Sequence, residues 1–187
     1  MKLTIDTNYL KLMLETILKC HSPSGFCYDV MDIIEAEALH CGYKFEKTNK
    51  GCGIITIPGE STKEVIGLSA HVDTLGAMVR SITPQGTLKF TLVGGPIAAT
   101  LDGEYCKIRT REGKIYTGTF LSTSPAAHVY TDSKDKPRTP ETMEVRIDEI
   151  VQSKEDVEKL GICAGDYIFI DPKTVITPSG FVKSRFM

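Results

Sequence analysis

Residues 65–79 read VIGLSAHVDTLGAMV, and their reading decides the fold. Val65 to Ala70 is nearly all apolar or small, the pattern of a strand covered on both faces in the middle of a sheet. His71 follows at the C-terminal end of that run, where open α/β sheets collect their ligands. If the strand continues, His71 and Asp73 share one face, since side chains at i and i+2 point the same way. An Asp so placed accepts one imidazole N–H and leaves the other ring nitrogen for a metal. On spacing alone a histidine that merely hydrogen-bonds at a strand end is the better-supported reading, and both stand at this point.

Upstream of that run the pattern is helical. Thr7 to Lys19 carries apolar residues at Leu10, Leu14, Ile17 and Leu18, and Ser22-Pro23-Ser24-Gly25 ends it in a turn. A second helix fits Tyr28 to Cys41, with Val30, Met31, Ile33, Ile34, Ala38 and Leu39 on its apolar face and Gly42 placed to cap it. Tyr43 to Thr48 and Gly53 to Ile57 then read as strands joined by Asn49-Lys50-Gly51. Helices followed by strands predict an α/β or α+β layer.

Downstream, from Thr74 to about Ile170, short strands alternate with turns such as Thr83-Pro84-Gln85-Gly86 and Glu112-Gly113-Lys114, which predicts a small all-β barrel or sandwich. Ala127 to Thr142, polar and proline-containing, reads as a long mobile loop. Ser153 to Leu160 reads as a short helix with a loose capping box at Ser153 and Asp156, ended by Gly161.

Composition narrows the function. Twenty-two lysines and arginines against 24 acidic residues, with no long block of one sign, argue against nucleic acid as a partner. The N-terminus lacks a signal peptide and no stretch approaches the ~18 apolar residues of a membrane span, so the expected location is cytoplasmic, with no membrane partner. Six scattered cysteines without a C-x-x-C pair read as reduced, mostly buried small hydrophobes. His21 and His40 lie at helix ends, where an imidazolium suits the dipole. His128, in SPAAHVYTD, sits at a junction of apolar chain and loop where exposed functional side chains collect.

SPSG at 22–25, AHVDTLGAMV at 70–79, GTLKFTLVGG at 86–95, SPAAH at 124–128, GICAGDYIFI at 161–170 and TPSGFVKSRF at 177–186 occur in an order that resembles the glutamyl aminopeptidase or TET-type metallo-aminopeptidases. These form the forty-second metallopeptidase family, in the MH clan. The resemblance spans nearly the whole chain. It implies a catalytic α/β domain interrupted by a PDZ-like β-barrel dimerisation domain: residues 1–74 the N-terminal half of the catalytic domain, 75–172 the barrel insert, and 173–187 a truncated return segment.

It further implies that His71 binds one of two divalent metal ions, zinc or cobalt, and that Asp73 orients it. The ions activate a bridging water that attacks the N-terminal peptide bond, with a glutamate as general base. Substrates would be peptides with a free N-terminus, the barrel would build a homo-oligomer, and His128 would reach toward a neighbouring subunit's active site.

Relatives of this kind are about twice as long, by roughly one further half-domain of ~150 residues, and continue Leu-Asp-Asp-Lys after a segment like Lys183-Ser184-Arg185-Phe186. Met187 stands here where the Leu would be. The bridging Asp, the catalytic Glu pair and the remaining ligands would lie beyond it. The expectation is an N-terminal portion that by itself binds metal weakly or not at all, exposes a sheet edge and does not hydrolyse peptides. The alternative expectation is a non-catalytic dimerisation or assembly module. Some relatives carry an endoglucanase label, but glycoside hydrolysis needs two carboxylates across a sugar, and no such pair is indicated.

Overall fold

A computed structural model describes residues 4–61 and 63–187. Helix α1 (Thr7–Lys19) starts at Asp6, whose carboxylate accepts the Asn8 and Tyr9 N–H groups at 3.0 Å and so satisfies two orphan donors of the first turn. Helix α2 (Tyr28–His40) ends in a Schellman motif: Gly42, at φ +79°, donates to Leu39 O, and Tyr43 donates to Ala38 O. Strands β1 (Lys44–Lys47) and β2 (Gly53–Thr56) form an antiparallel hairpin, with Lys47 opposite Gly53 and Gly51 at φ +81° in the connection.

The predicted central strand at 65–70 does not form. No strand among the described residues pairs with it, and Val65, Ile66 and Leu68 are 93, 89 and 96 % exposed. An apolar run becomes a buried strand only where neighbours supply both hydrogen-bond edges and both faces. Among the described residues β1 and β2 pair only with each other, so the expected layer reduces there to two helices and a hairpin.

From Gly76 onward the chain closes on itself. Strands β3 (Gly76–Ile82), β4 (Leu88–Val93), β5 (Tyr105–Arg109), β6 (Ile115–Ser122), β7 (Met143–Ile147) and β8 (Tyr167–Ile170) form an antiparallel barrel of order β3-β4-β7-β6-β5-β8. Alternate residues face in: Leu88 and Phe90, Cys106 and Ile108, Met143 and Val145, Ile168 and Ile170 are buried. Phe90 and Phe120 meet edge to face at the centre, ring centroids 5.0 Å apart. Helix α3 (Lys154–Lys159) lends Val157 to this core. Its capping is loose as expected: Ser153 Oγ accepts the Asp156 N–H, while Asp156 reaches Gln152 rather than Ser153.

The loop after β6 is turn-rich, as its composition predicts, but it is tied to the barrel rather than loose. Arg138 donates to Asp102 Oδ2 at 2.8 Å and to the Ser133 and Lys136 carbonyls, and Lys136 Nζ reaches Ser124 Oγ at 2.6 Å. A guanidinium with its five donors satisfies the loop carbonyls that the polar composition left without assigned partners.

Beyond the barrel, β9 (Val175–Ile176) and β10 (Val182–Lys183) make a short hairpin. Lys173 and Arg185 flank Glu104, with the Lys173 Nζ 2.6 Å from its carboxylate. Burial opposes the charge on Glu104, but the two cations prevail and hold its carboxyl below the usual range.

The cysteine expectation holds in one respect only. All six are free thiols, but Cys106 alone is fully buried, in the barrel wall; Cys41 and Cys52 are exposed because the N-terminal elements lack a second layer. No helix among the described residues is long and apolar enough to cross a membrane.

Candidate metal site

The site begins with the turn after α1. Phe26 N–H donates to Pro23 O at 2.7 Å and Gly25 takes φ +90°, the backbone of a type II turn with the glycine where a positive φ is required. This turn lies alongside residues 72–74. Pro23 bridges Thr74 in parallel, the Thr74 N–H donates to Ser22 O at 2.8 Å, and Ser22 Oγ donates to Val72 O at 2.6 Å. The approach is close because Gly76 has no side chain: a Cβ there would stand 2.7 Å from Pro23 Cβ.

Against this turn His71 and Asp73 come together without the strand that was expected to align them. His71 Nδ1 lies 3.3 Å from Asp73 Oδ1 and 3.1 Å from the Asp73 main-chain oxygen. The other carboxylate oxygen accepts Ser24 Oγ at 2.6 Å. That hydrogen bond, with His71 contributing, holds the Asp73 carboxyl below the usual range against a smaller opposing effect of burial.

The His71 side chain is 71 % exposed and that of Asp73 44 %, so the ring is supported from one side and open on the other. A neutral imidazole whose Nδ1 faces a carboxylate carries its proton there and offers Nε2 as a lone-pair donor. This donor chemistry suits one ligand of a zinc- or cobalt-type ion. It does not make a whole centre. Such ions take about three protein ligands plus water, and among the described residues no group of three His, Cys, Asp or Glu side chains is gathered to hold one.

The other histidines fall elsewhere. His128 sits on the exposed turn following β6, where Val129 and Tyr130 donate to Ala126 O, and the structure does not bring it to the His71–Asp73 pair. His40 occupies the last turn of α2, as expected. His21 departs from expectation: its ring stacks on Phe169 with centroids 4.9 Å apart, and burial, reinforced by Lys107, pushes its pKa down. An imidazolium is therefore disfavoured there, whatever the helix end offers.

His21 also lines a groove of about 580 Å³ on the barrel with Tyr105, Lys107, Thr117, Asp148 and Asp171, which neither His71 nor Asp73 enters. Ser22 and Ser24 were missed as site residues. The signal for them was a turn tetrapeptide, and nothing in it says that its hydroxyls meet residues 72 and 73.

Compared with known proteins, residues 51–187 match the M42 glutamyl aminopeptidase family. YhfE of Bacillus subtilis (strain 168) is 42 % identical over 175 residues, which cover 94 % of this chain and 51 % of that protein. In three dimensions the chain is similar to a TET aminopeptidase from the marine sediment archaeon Thaumarchaeota archaeon SCGC AB-539-E09, with a TM-score of 0.80 at 22 % identity, over 94 % of this chain and 48 % of that one. The Pyrococcus horikoshii TET1 peptidase, which assembles into a tetrahedron or a large octahedral shell, gives a TM-score of 0.71 at 20 % identity, over 91 % of this chain and 49 % of its own. The chain thus spans about half the length of the relatives it matches.

Proposed function

Because the chain belongs to the M42 glutamyl aminopeptidase family, we propose that residues 1–187 supply the N-terminal side of a dinuclear metal-dependent aminopeptidase that releases N-terminal residues from peptides. The observation that carries this reading is the His71–Asp73 contact through Nδ1, which leaves Nε2 to a metal. Two zinc or cobalt ions, when bound, supply Lewis acidity and an activated water. His71 contributes one ligand atom, and Asp73 orients the ring. With both Asp73 oxygens engaged by Ser24 and His71, the chain alone binds metal weakly and does not hydrolyse peptides.

In the same reading, residues 1–74 and 173–187 belong to a catalytic domain and 75–172 form the insert through which copies associate. Closed assemblies such as those of the Pyrococcus relative support that association, and His128, exposed on its turn, approaches a neighbouring subunit's active site. The six free thiols suit a reducing compartment, and this reading takes the cytoplasm as the protein's location.

The test is a chimera in which the part of YhfE that this chain does not cover is joined after residue 187. With zinc or cobalt it should cleave leucine or glutamate anilides, His71→Ala should abolish turnover, and the 187-residue chain should give none. Turnover that survives His71→Ala would sink the proposal. A second reading, a non-catalytic assembly module, is favoured by one observation: the barrel is closed and has its own core. A stable 20.6 kDa species in cells supports the module, whereas a larger natural polypeptide supports the peptidase.

A further inference from the structure

His71 Nδ1 faces two acceptors, both from Asp73: carboxylate Oδ1 at 3.3 Å and the main-chain oxygen at 3.1 Å. Each is fixed by a serine of the turn between α1 and α2. Ser24 Oγ donates to Oδ2 at 2.6 Å, which sets the rotation of the carboxylate and turns Oδ1 to the ring. The Asp73 carbonyl shares one planar peptide unit with the Thr74 N–H. That N–H donates to Ser22 O at 2.8 Å, so the plane carrying the second acceptor is held as well.

The turn in its own right is anchored on the barrel. Phe26 lies 5.4 Å from the Tyr167 ring and 5.5 Å from that of Phe169, with the Arg109 guanidinium 4.7 Å over its face. The support therefore runs from β5 and β8 through the turn to Asp73 and from there to the histidine.

From this geometry we infer that Ser24 is a positioning residue: by orienting the Asp73 carboxylate it keeps the His71 proton on Nδ1 and presents Nε2 as the ligand atom. The inference rests on the metal reading proposed above and deepens it, since a ring free to exchange tautomers offers the wrong nitrogen for part of the time. A serine that merely held the turn together would leave the tautomer of a distant ring unchanged.

The experiment is performed on the 187-residue chain labelled with 15N-histidine and without metal, at about pH 8, where an unperturbed imidazole is neutral. Long-range proton–nitrogen spectra report the tautomer of each ring, and His71→Gln identifies the His71 signals. The wild type should show His71 mainly as the Nδ1–H tautomer. Ser24→Ala should lower its ratio to the Nε2–H form about fivefold, equivalent to about 1 kcal/mol, and Ser24→Thr, which keeps a hydroxyl, should restore it to within about twofold.

His21, stacked on Phe169 from the same turn, is the fold control: its signals should not move. A wild-type His71 mainly in the Nε2–H form overturns the inference whatever the variants do. Equal ratios in the wild type and Ser24→Ala overturn it too, as does failure of Ser24→Thr to restore the ratio. These readouts need no metal, so their failure leaves the metal reading standing; a chimera that ignores His71→Ala removes the metal reading and leaves the tautomer result intact.

Discussion

The barrel and the N-terminal region answer the same problem, apolar side chains in water, in opposite ways. In the barrel every strand has two neighbours, and Leu88, Phe90, Phe120 and Val145 are 0 % exposed. In the N-terminal region, among the described residues, β1 and β2 have only each other, and Leu68 is 96 % exposed although its segment is more apolar than most barrel strands. Burial is thus conferred by closure, which removes free edges, and not by composition. One region encloses its own core, whereas the other leaves apolar side chains exposed among the described residues.

The largest effect should come from breaking the closed side. Phe120→Ala removes the partner of Phe90 from a fully packed centre and should destabilise the barrel by about 3–5 kcal/mol, while Leu68→Ala should cost no more than ~0.5 kcal/mol; chemical denaturation followed by circular dichroism measures both. If the two losses were similar, the contrast between the regions would be gone.

Next is the seam. Gly76→Ala places a Cβ 2.7 Å from Pro23 Cβ and 3.3 Å from the Ile168 carbonyl. It should cost roughly 1–3 kcal/mol and loosen the turn more than the barrel, which hydrogen exchange at Phe26 and Ile108 would resolve.

A smaller effect is expected where the return segment meets the barrel. The Glu104 carboxyl is held below its ordinary value of 4.5, so the folded state binds fewer protons there than the unfolded state. Its contribution is complete above about pH 4.5 and declines as pH falls through the folded-state pKa. Thermal melts should show the wild type losing stability over that acid window more steeply than Glu104→Gln.

On the open side, replacing Ile66 and Leu68 together by Lys should leave the melting transition almost unchanged but reduce concentration-dependent self-association in sedimentation, because it breaks up an exposed apolar strip. Unchanged association would show that the strip is not what copies share.

Much of this was legible beforehand, and the exceptions share one cause. Helical spacing, Gly42 and the Asn49-Lys50-Gly51 turn predicted α1, α2 and the hairpin because those signals are local and the residues that answer them lie within a few positions. The barrel strands were legible for the same reason, through alternation between turns. Val65 to Ala70 has the local pattern of a buried strand, but a strand also needs neighbours, and the pattern carries no record of whether they are present. His71 and Asp73 were legible as a pair because only Val72 separates them. Ser24 was not, because its partner is 49 residues away and meets it through tertiary contacts, the packing of Pro23 against Gly76 and the hydrogen bonds of Ser22 to residues 72 and 74. The anchored loop is a similar case: Arg138 reads as one more charge in a polar stretch until Asp102 is seen beside it.

One detail of the barrel bears on how such a molecule is assembled. Gly76, where the first strand begins, pairs directly with Phe169 near the end of the last, and the Leu75 N–H donates to Phe186 O at 2.8 Å. Entry and exit therefore stand side by side, at about the 5 Å separation of paired residues. In the insert reading proposed above, the whole barrel is a tight bend to the flanking chain, and its ends close at little cost in entropy to the host.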